Sequence, residues 1–217
     1  MSDRADVEFF FDPTCPWAWL TSRWVEEVAL QRDLDVNWRF ICLRIVNADR
    51  QMDEGHVAGH TMGQKLLRVA AAVRDAEGRG PIGALYTQFG GDLHVRGRRD
   101  EIMGDLDNGF PGYLRSVGVD DKYIGAANDP KWDEVLTAET EEALSRTGRD
   151  VGTPIISFMS GDQPSSFFGP VISRVPRGKE ATRLWDAVWE VATFPGLAEL
   201  KRSLRERPQL ADSLREG

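Results

Sequence analysis

A short apolar run at positions 7–11, VEFFF, stops at Asp12-Pro13, and Cys15-Pro16 opens a helical pattern directly afterwards. This order of strand, turn, cysteine, proline and helix constrains the fold more than any other stretch. The run is short and apolar enough for a buried first strand, and Asp-Pro is a turn signal. From Pro16, the residues Trp17, Leu20, Trp24, Val25 and Val28 recur at three- and four-residue spacing, with Arg23, Glu26, Glu27 and Arg32 between them. That spacing predicts an amphipathic helix. Proline suits its first position, where an N–H would have no partner. Cys15 then falls at or next to the N-cap. Leu34 to Val46 reads as a second strand, which completes a β-α-β unit whose first loop lies at the carboxyl end of a strand.

A helix start carries roughly half a positive charge and several unpaired N–H groups. Both favour a thiolate, so Cys15 is expected to have a lowered pKa and to be a nucleophile. Trp17 and Trp19 would place aromatic surface beside it. The second element is Val151-Gly152-Thr153-Pro154, directly before a strand. A cis Thr153-Pro154 bond would turn the Thr153 backbone toward the pocket and leave its N–H and C=O for an extended substrate. An ordinary trans proline in an entry turn is the alternative. Cys42 lies in VNWRFICLRIV and reads as a buried core cysteine on a strand.

Between Asp49 and Arg149 the patterns are helical. Met62, Leu66, Val69, Ala70 and Val73 share one face; Ile82, Leu85, Tyr86 and Phe89 share another; Trp132, Val135, Leu136, Ala143 and Leu144 mark a third, opened by Asn128-Asp129-Pro130. After Gly148 the strand signal returns as a hairpin, Ile155–Phe158 and Ser166–Phe168 around a turn centred on Ser160-Gly161-Asp162. A helix follows over Gly178–Thr193. A shorter one is expected from Pro195 to about Leu204, with a frayed tail after Pro208. One compact domain with an insertion accommodates the 217 residues, and 41% hydrophobic content with seven tryptophans supports a substantial core. The net charge of −8, from 27 basic and 35 acidic side chains, argues against nucleic acid. No apolar run is long enough for a membrane span. The charged start MSDRADVEFF lacks the apolar core of a signal peptide, so a cytoplasmic location is expected.

With Cys15-Pro16-Trp17-Ala18, the later Gly152-Thr153-Pro154 and this element order, the chain resembles the DsbA-like branch of the thioredoxin superfamily. Within it, the chain is most similar to the mycothiol-dependent nitroreductases, relatives of FrnE-type proteins and kappa-class glutathione transferases. The stretches FFFDPTCPWAWLTSRWVEEV, LRIVNADR, DVGTPIISF, FFGPVISRVPRG and LWDAVWEVATFPGLAELKR carry the likeness. It implies an α/β thioredoxin fold, residues 1–48 and 150–217, with an α-helical domain, 49–149, inserted between the second and third strands. It further implies Cys15 as the catalytic cysteine, Pro154 as a cis-proline beside it, and mycothiol or another low-molecular-weight thiol as co-substrate in reducing disulfides, mixed disulfides or nitroaromatic compounds. Close relatives carry Cys-Pro-Trp-Cys. With Ala18 in the fourth position no disulfide can close across the motif. Ala18 is either native to a monothiol enzyme resolved by an external thiol, or a replacement that traps the mixed disulfide.

Asn47, at the end of the expected second strand, suits either a cofactor hydrogen bond or a turn. Arg174 and Arg177 precede the helix start at Gly178, where they would draw an anionic group of the thiol or lie solvated. His56, His60 and His94 read as surface or pocket-lining residues, and no metal is expected. The partners expected are a small thiol and a small-molecule or disulfide substrate, in a monomer or a homodimer. Two other functions compete: a transferase- or isomerase-like enzyme whose thiol cofactor is the nucleophile, and a non-catalytic binding module on a redox fold.

Overall fold

The computed structural model describes residues 5–105, 114–159, 163–203 and 206–214. Strand β1 (Val7–Phe11) leads through the Asp12–Thr14 turn into helix α1 (Pro16–Arg32), and strand β2 (Val36–Phe40) returns beside β1 in parallel register, Phe9 opposite Trp38. A single helical turn, α2 (Leu43–Val46), comes next. It is followed by α3 (Glu54–Glu77), α4 (Ile82–His94), α5 (Arg99–Asp105), 3-10 turns, and α6 (Asp133–Thr147). Strands β3 (Ile155–Phe158) and β4 (Ser165–Phe168) then complete the sheet, and α7 (Gly178–Thr193) packs against it. The strand order is β2-β1-β3-β4, with β3 antiparallel to both neighbours. This is a thioredoxin-type α/β fold with helices between its second and third strands.

All five residues of β1 are buried because both faces of the sheet are covered. Alternation divides them. Val7, Phe9 and Phe11 enter the larger core with α1, α3, α4 and α7, whereas Phe10 joins Ile41, Ala143, Leu144 and Ile155 beneath α6. Tyr86 of α4 stacks on Phe11 at 3.8 Å between ring centroids. Trp24 of α1 donates its indole N–H to Ala181 O of α7 at 2.9 Å. One close approach fixes the placement of α4: a Cβ at Gly90 would overlap the Trp19 indole. Among the described residues no helix is long and apolar enough to cross a membrane.

Several expectations shift. The expected second strand stops at Phe40; Ile41 still bonds to Phe11 O, but Cys42 caps α2 instead of lying on a strand. The switch has a tertiary cause, because the Asp12 Oδ2 atom accepts the Leu43 N–H at 2.8 Å and so satisfies an orphan donor of the new helix. No helix follows Pro195 among the described residues, and Leu204 lies outside them. The centre of the hairpin turn, residues 160–162, also lies outside them. Among the described residues the tail is docked and not frayed: Ser213 is 1% exposed and accepts the Trp19 indole N–H at 2.8 Å, while the Gln209 N–H bonds Ser173 O at 2.7 Å.

Under α6, Glu8 of β1 bonds Arg39 of β2 at 3.0 Å and Arg146 of α6 at 2.6 Å. Arg39 also reaches Glu139 at 3.0 Å and Glu142, and Arg146 reaches Glu142. Burial alone would raise the Glu8 carboxyl pKa, but Arg146 and Arg39 outweigh it and hold the group below its ordinary value; the same arginines lower Glu142. A lowered carboxyl pKa contributes stability that is complete above the ordinary glutamate value of about 4.3 and disappears as pH falls through the lowered one. Glu8→Gln removes one carboxylate while Arg39 keeps Glu139 and Glu142 and Arg146 keeps Glu142, so it is expected to cost about 1–2 kcal/mol at neutral pH. Denaturant unfolding followed from neutral pH down to about pH 3 should show a smaller loss of stability in the variant than in the wild type.

Candidate active site

Cys15 is the N-cap of α1, with φ −82° and ψ 112°. Its N–H bonds Asp12 O at 3.1 Å, which closes the turn out of β1, and its C=O accepts the Trp19 N–H at 3.0 Å, which starts the helix. The sulfur accepts the Ala18 N–H at 3.4 Å and donates to Thr153 O at 3.5 Å. Thr153-Pro154 is cis, and Thr153 Oγ1 donates to Phe10 O at 3.2 Å. The structure thus brings together Cys15, Pro16, Trp17, Ala18, Thr153 and Pro154, six of the nine sequence-predicted positions. Cys15 is 7% exposed and Ala18 is fully buried. Pro16 and Trp17 remain half-exposed at the mouth, but Trp19 turns inward against α4 and offers no surface to a ligand.

The thiol does not behave as the helix start alone implies. Burial pushes Cys15 up to about 12, and the nearby Asp12 carboxylate adds to the rise; the N–H groups of Ala18 and Trp17 lower it, but by less. The expected stabilisation of an anion is present in the geometry and is overridden by desolvation. Cys42 is fully buried and likewise pushed up to about 12, burial again being the main cause. Its sulfur has no path to an outside disulfide.

The other three predicted residues are engaged elsewhere. Asn47 ends α2 and donates its side-chain amide to Leu43 O at 3.0 Å, the turn role. Arg174 pairs with Glu180 at 2.9 Å on the surface. Arg177 pairs with Glu27 at 3.2 Å and donates to Ser213 O at 2.8 Å. Glu27 also accepts the Gly178 N–H at 3.0 Å. The anion expected at the start of α7 is thus a carboxylate of the chain itself.

Three residues contribute more than the sequence reading assigned them. Asp12, read only as a turn residue, is fully buried; its Oδ1 accepts Thr14 N–H at 2.8 Å and Thr14 Oγ1–H at 2.6 Å, and its Oδ2 takes Leu43. Gly63 of α3 leaves room for this turn, since a Cβ there would stand 2.7 Å from Asp12 Oδ1 and 3.1 Å from the Thr14 side chain. His94 of α4 bonds Pro13 O through Nε2 at 2.8 Å. Facing a carbonyl, Nε2 must donate, and burial lowers the ring pKa to about 4, so the imidazole is neutral. No local signal marks Gly63 or His94, which act across the fold, and the Asp12-Pro13 turn signal does not disclose the reach of Asp12 to Leu43. The described residues hold no group of three or more metal-ligating side chains.

The family model described as Rv2466c-like, mycothiol-dependent nitroreductase Rv2466c, matches residues 14–202. The chain belongs to this family. It is 29% identical over 197 residues to the uncharacterized protein Rv2286c of Mycobacterium tuberculosis, covering 90% of this chain and 81% of that protein. Its fold is similar to that of a candidate protein disulfide isomerase from Nitrosomonas europaea, with a TM-score of 0.55, 13% identity and coverage of 86% of this chain and 98% of that one. It is also similar to the cytosolic disulfide reductase DsbM from Pseudomonas aeruginosa, with a TM-score of 0.54, 12% identity and coverage of 84% and 98%. These two likenesses bear on the fold, which is the DsbA-like thioredoxin fold.

With its pKa pushed up to about 12 by burial, the Cys15 thiol is almost wholly protonated at pH 7. The rate of Cys15 alkylation by iodoacetamide should therefore rise about tenfold per pH unit from pH 7 to about pH 10 without a plateau. A plateau below pH 9, read by intact mass, would show that the helix start prevails over burial.

Proposed function

We propose that this family member is a thiol-dependent oxidoreductase in which Cys15 is the single reacting cysteine and a small thiol of the mycothiol type is the co-substrate. The contact that carries the reading is the Cys15 sulfur at the head of α1, 3.5 Å from Thr153 O beside the cis Thr153-Pro154 bond. With Ala18 in place of a second motif cysteine and Cys42 fully buried, an outside thiol must complete the cycle. Such a co-substrate fits a sulfur near the surface beside the half-exposed Trp17. Residues 1–48 and 150–217 act as the redox unit, and the helical segment 49–149 walls its mouth. The reaction is set in the cytoplasm.

In the disulfide reaction Cys15 loses its proton to solvent as the substrate docks, and its sulfur attacks one substrate sulfur. The substrate S–S bond breaks, and the other sulfur leaves with the electron pair. Attack by a small thiol on the resulting mixed disulfide releases a new disulfide and restores the Cys15 thiol. For a nitroaromatic compound, two equivalents of thiol reduce the nitro group to nitroso, giving one disulfide and one water.

The raised Cys15 pKa favours a second reading. A protonated Cys15 is a hydrogen-bond donor, suited to stabilising a co-substrate thiolate that is itself the nucleophile. Cys15→Ser separates the two. Under the first reading it abolishes turnover, by about 100-fold or more, and the adduct that intact mass detects after incubation with a small disulfide disappears. Under the second, serine keeps a donor in place and turnover stays within about tenfold.

A further inference from the structure

The C-terminal tail docks on the first turn of the helix that Cys15 caps. Ser213 Oγ accepts the Trp19 indole N–H at 2.8 Å, and Trp19 starts α1 by donating its backbone N–H to Cys15 O at 3.0 Å. One residue thus joins the tail to the cysteine. The Trp19 ring is closed in on other sides: Gly90 lies against it, the Arg23 guanidinium sits 4.2 Å from its centroid, and the His94 ring is 5.9 Å away between centroids. His94 in turn bonds Pro13 O at 2.8 Å, in the turn before Cys15. Further contacts hold the tail in place. Leu210 and Leu214 pack on the larger core, Ser213 Oγ–H donates to Leu210 O at 2.6 Å, and Arg177 donates to Ser213 O at 2.8 Å. The tail lies beyond residues 14–202, the stretch matched by the family model.

From this chain of contacts we infer that the tail, residues 206–214, is a strap on the active site, and that Ser213 is a positioning residue that acts on Cys15 through Trp19. The inference concerns control of the site proposed above and rests on that reading for its effect on turnover, though not for its effect on the thiol. The bonds of Ser213 go to Trp19, Leu210 and Arg177, so it touches no reacting atom. Its hydroxyl satisfies an indole that is fully buried. With the hydroxyl gone, a buried N–H donor is left unpaired, and entering water or a shift of the ring must satisfy it. Either change reaches Cys15. The tryptophan carries the first backbone bond of α1, and water admitted there reduces the burial that outweighs the Ala18 and Trp17 N–H groups at the thiol. A docked tail keeps the thiol protonated; a released tail favours the thiolate.

The test is alkylation of the full chain by iodoacetamide, followed at each cysteine by peptide mass spectrometry. Ser213→Ala is expected to raise the rate at Cys15 about tenfold at pH 8, which moves its pH profile down by about one unit, while Cys42 stays unlabelled. Leu210→Lys, which removes an apolar anchor of the tail, should act in the same direction. Asp212→Asn, exposed in the same tail, should match the wild type. The fully buried Cys42 separates release of the tail from unfolding. A Cys15 rate unchanged in Ser213→Ala, or labelling that rises at both cysteines in step, shows a tail that is merely structural and overturns the strap. Intact mass of the wild type after incubation with bis(2-hydroxyethyl) disulfide reads the reaction separately. A selective rise at Cys15 in the variant without a wild-type adduct leaves the strap standing and removes the redox reading; an adduct with unchanged alkylation does the reverse.

Discussion

Where the turn after β1 meets the bend before β3, the contact between Cys15 and Thr153 O depends on sheet pairing. Phe10 pairs with Ile155, and Thr153 Oγ1 bonds Phe10 O, so the Thr153–Pro154 bend is tied to the strand that delivers the cysteine. Asp12 ties the same turn to α2, and His94 and Gly63 hold it against α4 and α3. The sulfur sits at a junction of the sheet with three helical elements, and its setting is a tertiary product. A change in any of these supports would act on the thiol through its position and its access to water.

Magnitudes decide how that thiol behaves. The rise from an ordinary value near 9 to about 12 corresponds to about 4 kcal/mol against the anion. A helix start contributes about 1–2 kcal/mol in a partly buried setting. Burial therefore wins in the resting state, and the same burial makes the site responsive. A substrate that opens the mouth, or brings a donor to the sulfur, changes the larger of the two effects. A co-substrate thiolate arriving from solvent has not incurred this cost, which is why the nucleophile and the buried cysteine can be different sulfurs.

Elements set by local chemistry were legible in the sequence. Pro16 and the three- and four-residue spacing gave α1, and Gly178 with its apolar stripe gave α7, because punctuation and periodicity act within one turn of the chain. The Cys15 cap and the Thr153–Pro154 bend were visible for the same reason. The end of β2 was hidden, since FICLRIV is apolar throughout and α2 starts only when Asp12, far away in sequence, satisfies Leu43. The inward turn of Trp19 depends on a glycine in another helix, and the docking of the tail depends on Ser213 meeting that same tryptophan. Burial of the sulfur itself is the sum of such contacts, so a sequence reading could place Cys15 and still mistake its ionisation.

The arginines follow the same logic from the other direction. In a chain with 35 acidic and 27 basic side chains, most guanidiniums find a carboxylate, as Arg39, Arg68, Arg146 and Arg177 do. Arg177 looked from the sequence like an anion trap at a helix start, but Glu27, 150 residues earlier, fills that place and is itself almost completely buried. Sequence proximity to a helix start therefore does not distinguish a ligand-binding cation from a structural one; the presence of an internal partner does.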